Sequence, residues 1–381
     1  MLRCVSKFRT SKFWVGTALW LLAMWCIMSS QSAQAFTATA TVGIDAWSVP
    51  TNSVRYLPNY SLPDGKEWVP FSQWAKATAK HEVETDFGPV TFTAQGQYNT
   101  LIGSRVDRLD ASVRITDSTG LRVGVLPYKT SWCRTYDANS PWMAEPDAFC
   151  RFHGLNELAQ GAFGAQAFHS TIAGGWLVDS MVGIYRPEVD GQSDKLGPYV
   201  KVGPNTLHKK MGASINAMHL PTGVQLRVAL LKTLQNQKSD TGSYERRLDY
   251  DTRYIAVEGN PLQNLTLRGS VASYVGNQTN PALPYAWDGQ SKTIEAIYKP
   301  AQSHSIAFGL SQYTNVTTYA KAPNFQRVEV PTTNVAWRTD WSDGLHTVVQ
   351  ATRSNDNATT RAGVTTAKAG NAIGLRVAKT F

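Results

Sequence analysis

The chain has 381 residues, 42% of them hydrophobic, with 37 Lys and Arg against 28 Asp and Glu and a formal net charge of +9. Its mean hydropathy is -0.27. That excludes a helical bundle in lipid, which needs several long apolar segments, but not a β-barrel, in which only every second strand residue has to be apolar.

Residues 1–35 read as a cleavable export signal. Arg3, Lys7, Arg9 and Lys12 form a positive start, Phe13 to Met28 an apolar core, and Ala33-Gln34-Ala35 a small-x-small site with cleavage expected before Phe36. The rival is one retained helix, and the Ala-x-Ala site favours removal. No later stretch reaches ~18 uninterrupted apolar residues, so the rest is expected to pass the inner membrane. Loss of the leader removes four cations, which leaves 33 Lys and Arg against 28 Asp and Glu, a mature charge of +5. That bias is too weak to argue a nucleic-acid partner. Cys4 and Cys26 leave with the leader, and Cys133 and Cys150 remain. In an oxidising compartment an even pair suggests a disulfide, worth about 3 kcal/mol for a loop of this size in the chain-entropy picture. Two unpaired thiols are the alternative.

Residues 36–70 are the least regular part. Thr39 to Val49 could be a strand, but Pro50, Pro58 and Pro63 interrupt the residues after it. A lead-in strand, a loop and a segment folded into a pore all stay open. From Gln73 onward alternating stretches come in pairs joined by short turns. These turns are placed at Asp86–Pro89, Asp117–Gly120, Ala173–Gly175, Pro221–Gly223, Gly259–Pro261, Pro300–Gln302, Ser342–Gly344 and Ala369–Asn371. Eight hairpins make sixteen strands, and fourteen to eighteen are within reach because residues 36–70 are open. The other connections are longer, running over about residues 129–158, 186–205 and 277–290. Short turns on one side and long loops on the other fit a barrel that crosses lipid. Such a barrel, starting outward near residue 73 and ending inward at Phe381, has both ends on the periplasmic side. A sandwich or propeller explains neither that alternation nor strands of roughly twelve residues beside Pro221, close to the 9–11 that cross lipid at a tilt. The fold class is therefore all-β, a transmembrane antiparallel barrel over residues 71–381.

Period-2 sorting assigns each strand's faces. Val113, Leu121, Val228, Leu267 and Trp337 fall on apolar faces. Asp110 and the six arginines Arg114, Arg122, Arg227, Arg268, Arg338 and Arg376 fall on polar ones. In a narrow lumen, guanidinium groups that cannot shed charge would set a positive field favouring anions. Alternatively they pair with carboxylates such as Asp110, Glu82, Glu84 and Glu295 and line a wet channel. Aromatic residues near strand ends suit girdles at the lipid boundaries. They are Trp68, Phe71, Tyr98, Phe163, Trp176, Tyr185, Tyr254, Tyr274, Trp287, Tyr298, Trp337 and Trp341. The segment from Cys133 to Cys150 carries Asp137, Glu145 and Asp147. It is too long to be an idle turn. Two uses fit: it folds into the mouth as a constriction, or it caps the barrel and contacts a neighbour. We favour the first.

Enzymatic chemistry finds little support. His169-Ser170 and His304-Ser305 are adjacent strand residues, so the partners point to opposite faces. Metal, triad and phosphate-loop spacings are missing. No catalytic residue, metal or cofactor is expected. A non-conducting adhesion barrel and, behind it, an outer-membrane hydrolase are the alternatives.

The stretch Leu121-Arg122-Val123-Gly124-Val125-Leu126-Pro127-Tyr128 resembles the strand before the constriction segment in sixteen-stranded Gram-negative porins. The terminal Ile373, Leu375, Val377 and Phe381 resemble the signal read by the barrel-assembly machinery, although Lys379 stands where that family places an apolar side chain. The resemblance covers residues 71–381. It implies passive diffusion of small hydrophilic solutes, anionic ones included, across the outer membrane. It also implies contact with outer-membrane lipid and lipopolysaccharide, and a homotrimer.

Overall fold

The computed structural model describes residues 36–48, 68–86, 88–99, 103–126, 140–143, 162–186, 207–238, 245–279, 285–319, 325–359 and 365–381. They form sixteen strands. These are β1 (Phe36–Ser48), β2 (Trp68–Thr85), β3 (Gly88–Asn99), β4 (Gly103–Arg114), β5 (Thr119–Leu126), β6 (Ala162–Ala173), β7 (Trp176–Arg186) and β8 (Leu207–His219). The second half comprises β9 (Gln225–Lys238), β10 (Glu245–Leu262), β11 (Leu265–Thr279), β12 (Tyr285–Ala301), β13 (His304–Tyr319), β14 (Phe325–Asp340), β15 (Leu345–Thr359) and β16 (Thr365–Thr380). Each pairs antiparallel with its sequence neighbours, and β1 pairs with β16, so the sheet closes on itself. Closure removes the edges that an open sheet would expose.

The alternation in the sequence dictates the two faces. On β13, Ser305, Ala307 and Ser311 are buried inside while Ile306, Phe308 and Leu310 are exposed outside. On β16, Ala372, Arg376 and Ala378 face in and Ile373, Leu375 and Val377 face out. Repeated around the barrel, this leaves a continuous outer belt of Val, Ile, Leu and aromatic residues. Water tolerates exposed apolar patches of only a few hundred Å² on a monomer. The belt calls for hydrocarbon around it.

Turns between β2 and β3, β4 and β5, and so on to β14 and β15 are short, and they share one end with Phe36 and Phe381. Gly174 and Gly175 make one of them at φ 56° and 81°, a backbone that a side chain would resist. In another, Asp343 takes φ 59° within the short 3₁₀ turn Ser342–Gly344. Segments joining strands at the opposite end lie mostly outside the described residues.

Three expectations change. The barrel starts at Phe36, not near residue 71, because β1 is the strand that meets β16; β2 accordingly runs toward the short-turn end. Ala369–Asn371 is no turn but the middle of β16, whose small and polar residues there sit above the apolar belt. The count of sixteen survives because β1 is gained while the two strands expected on either side of Ala369–Asn371 are one. Four expected girdle aromatics, Tyr185, Tyr254, Tyr274 and Trp287, share the inward parity of buried polar neighbours and line the lumen. Tyr98, Phe163, Tyr298, Trp337 and Trp341 do face outward. The leader and the side chains of Trp68 and Phe71 lie outside what the structure describes.

Candidate functional site

The six arginines and Asp110 all sit on inward positions, but in two different settings. Arg376 on β16 lies directly across from Asp45 on β1. Its Nε donates to Asp45 Oδ1 at 2.8 Å and its Nη2 to Oδ2 at 2.7 Å. Trp74 Nε1 adds a third bond to Asp45 at 3.0 Å. Arg338 is held by Asp340, with Nε donating at 2.8 Å. Arg268 lies 3.5 Å from Glu295 and 3.9 Å from Glu258. Arg227 donates to Asn216 Oδ1 at 2.9 Å.

Arg338, Arg376 and Glu295 seat a piece of chain against the inner wall. Ser140–Met143 come from the segment between Cys133 and Cys150, and Trp142 has no exposed surface at all. Arg338 Nη1 donates to the Ser140 carbonyl at 3.0 Å, and Arg376 reaches the Trp142 and Met143 carbonyls at 3.4 Å each. Met143 N donates to Gln350 Oε1 at 2.8 Å. The Trp142 indole N–H donates to Glu295 Oε2 at 3.2 Å. Its ring and Met143 pack among Trp47, Ile297, Ala307, Ala336, Val348 and Ala372. Small inward residues on β13, β14 and β16 leave room for that ring. The backbone and indole groups brought in thus find partners, as burial demands. Asp137, Glu145, Asp147, Cys133 and Cys150 lie outside the described residues.

The wall formed by β2–β6 is wetter. Lys80, Glu82, Arg108, Arg114 and Arg122 border a cavity of about 460 Å³, with the Phe168 ring beside them. Asp110 is fully consumed here: Arg108 grips both its oxygens, and Arg122 Nε stands 3.3 Å away. Arg122 also donates to Gln166 at 3.1 Å and lies over the Phe168 ring at 5.2 Å. Gln166 in turn donates to the Tyr185 hydroxyl at 2.9 Å. Arg114 and Lys80 are exposed to the water of the cavity.

Around the lumen, large rings lie over glycines of the neighbouring strand. Trp74 faces Gly43, Phe168 faces Gly120, Tyr185 faces Gly164, Tyr274 faces Gly289, and Trp47 faces Gly374. A side-chain carbon on any of these glycines would run into its ring. The rings therefore lie against the wall instead of crossing the bore.

Parity in the sequence places the arginines but not their partners. Asp45 lies in the stretch that the sequence leaves open. Lys80 and Arg108 follow from the same parity once the strands are in register. Trp142 carries no local signal, since its seat is assembled from β12 to β16. Among the described residues no cluster of His, Cys, Asp and Glu could hold a metal ion.

No family model and no curated protein matches the sequence. The structure is similar to the outer-membrane protein OmpT of Vibrio cholerae, with a TM-score of 0.57 and 10% identity over 92% of this chain and 99% of that one. The fold is that of a sixteen-stranded porin. The same holds for the outer-membrane channel DcaP of Acinetobacter baumannii, with a TM-score of 0.57 and 10% identity over 92% of this chain and 99% of that one. A porin of Comamonas acidovorans described as anion-selective gives a TM-score of 0.54 and 11% identity over 91% of this chain and all of that one. Within this porin fold the arginine-held segment and the basic cavity are the features on which function has to be argued.

Proposed function

We propose that the chain is an outer-membrane porin that lets small hydrophilic solutes diffuse passively, with a preference for anions. The carrying observation is the asymmetry of the inner wall. On one side Arg268, Arg338 and Arg376 are tied to carboxylates, and Arg338 and Arg376 hold Ser140–Met143. On the other, Lys80, Arg108, Arg114 and Arg122 share a cavity with Glu82 and the already paired Asp110. That leaves local positive charge facing water at a narrowing, where low-dielectric walls focus the field. One of its structural relatives is itself described as anion-selective. The outer apolar belt, the closed sheet and the outward Ile373, Leu375 and Val377 before Phe381 support placement in the outer membrane after assembly by the barrel machinery.

A homotrimer fits one part of the outer wall. Ala40, Ala77 and Gly96 lie in one row and Ala38, Ala79 and Ala94 in the next. Such small residues let backbones of neighbouring barrels approach. Below them His81 is buried between Phe36 and Phe92, and its Nδ1 has no partner among the described residues. Cys133 and Cys150 would staple the segment that carries Trp142.

Planar-bilayer recording under a salt gradient tests the proposal. The wild type should conduct with an anion-selective reversal potential. Lys80→Glu with Arg114→Glu should shift it toward cations. Cation selectivity in the wild type, or no shift in the variant, overturns the anion preference. Absence of any conductance overturns the porin.

A further inference from the structure

The cavity bordered by Lys80, Arg114 and Phe168 is more than a patch of positive charge. It lies toward the short-turn end of the lumen, with Pro89 beside the turn between β2 and β3 and Arg114 beside the turn between β4 and β5. One row of four side chains on successive strands runs across it. Glu82 on β2 faces Thr91 on β3, Thr91 faces Ser112 on β4, and Ser112 faces Arg122 on β5. Arg114 lies two residues beyond Ser112 and Lys80 two residues before Glu82, so both share the inward parity. The row thus has an acidic end, a hydroxyl middle and a basic end. Its ends are three strands apart, about 14 Å between backbone positions.

Each part of the row has a chemical consequence. Arg122 is braced at the basic end, donating to Gln166 at 3.1 Å and lying over the Phe168 ring. Among the described residues, Lys80, Thr91, Ser112 and Arg114 have no side-chain partner, so their donors are open to a solute. The four cations around the cavity exceed Glu82 and Asp110 by two. A phosphate monoester carries about −1.5 to −2 near neutral pH, on three acceptor oxygens. A bare oxyanion would use the basic end alone, and Glu82 repels it. An ionised carboxylate only accepts hydrogen bonds, so Glu82 calls for hydroxyl donors on the far part of the solute. Thr91 and Lys80 suit the same hydroxyls. At about 460 Å³ the cavity falls within the size range of small-molecule sites.

We infer that this cavity is a saturable binding site for a polyhydroxylated phosphate monoester, of the sugar-phosphate class. Its phosphate lies on Ser112, Arg114 and Arg122, and its hydroxyls run along Thr91 toward Lys80 and Glu82. The inference rests on the reading of the chain as an anion-preferring porin, but binding and conduction are measured separately. Isothermal titration of the detergent-solubilised protein, with glucose 6-phosphate, inorganic phosphate and glucose as probes, tests it. The wild type should bind the ester about tenfold more tightly than inorganic phosphate, the worth of one or two hydrogen bonds to charged groups, and should show no saturable binding of glucose. Glu82→Gln should tighten inorganic phosphate and narrow that gap. Ser112→Ala with Arg114→Gln should lose the ester at a strand content unchanged by circular dichroism. Equal binding of the ester and inorganic phosphate by the wild type overturns the site, as does a folded double variant that binds the ester undiminished. Channels that are anion-selective under a salt gradient, from a protein that does not bind the ester, overturn the site and leave the porin reading standing. Ester binding by a protein whose channels are cation-selective or silent overturns that reading and leaves the site standing.

Discussion

Arg376 and Asp45 face each other across the seam where the last strand meets the first, joined by two hydrogen bonds of 2.8 and 2.7 Å. The same guanidinium holds the Trp142 and Met143 carbonyls. One side chain thus ties barrel closure to the segment inside it.

Removing one partner of that pair leaves a buried charge uncompensated. Asp45→Asn or Arg376→Met should cost about 3–5 kcal/mol, read from urea unfolding of the refolded barrel. The double change Asp45→Leu with Arg376→Met should cost much less than the sum. Single variants as stable as the wild type would show that the seam does not depend on this pair.

Trp142→Ala should enlarge the bore beside Glu295. We expect single-channel conductance to rise while the sign of selectivity stays the same, because the basic cavity on the other wall is untouched. Conductance equal to the wild type would mean that Ser140–Met143 do not narrow the path that ions take.

Gly289→Val should drive Tyr274 off the wall. Overpacking of this kind costs about 1–3 kcal/mol, and here it should also lower conductance, because the ring has only the lumen to move into. Adding Tyr274→Ala should restore both. If the single variant conducts normally, the ring has another resting place.

Ala77→Trp should break the row of small outer residues on β1–β3. Size-exclusion chromatography with light scattering would show a shift from trimer to monomer at unchanged strand content. A wild type that is already monomeric would remove that assembly.

Architecture is legible in the sequence and contacts are not. Alternation at Ala111–Val113, Val224–Leu230 and Ile373–Val377 sorts outside from inside because hydrocarbon accepts one face and water the other. All six arginines emerge that way. Their carboxylate partners are harder, since Asp45 and Arg376 are 331 positions apart. Pro50, Pro58 and Pro63 mask the regular stretch before them, so the sequence leaves β1 open. Gly370 and Asn371 mimic a turn, but they lie in strand above the lipid, where no apolar residue is called for. The aromatic parity on β7, β10 and β11 needs exact registration, and a girdle and a lumen lining look alike until it is known.

The strand at residue 36 finds its second neighbour only in the final sixteen-residue strand of the chain. During export, then, the opening segment must wait, with one flank unsatisfied, for everything else to arrive. An unpaired flank invites pairing with a stranger, and contacts so remote in sequence form slowly. A periplasmic escort that shields Phe36–Ser48 until delivery is complete would remove that hazard.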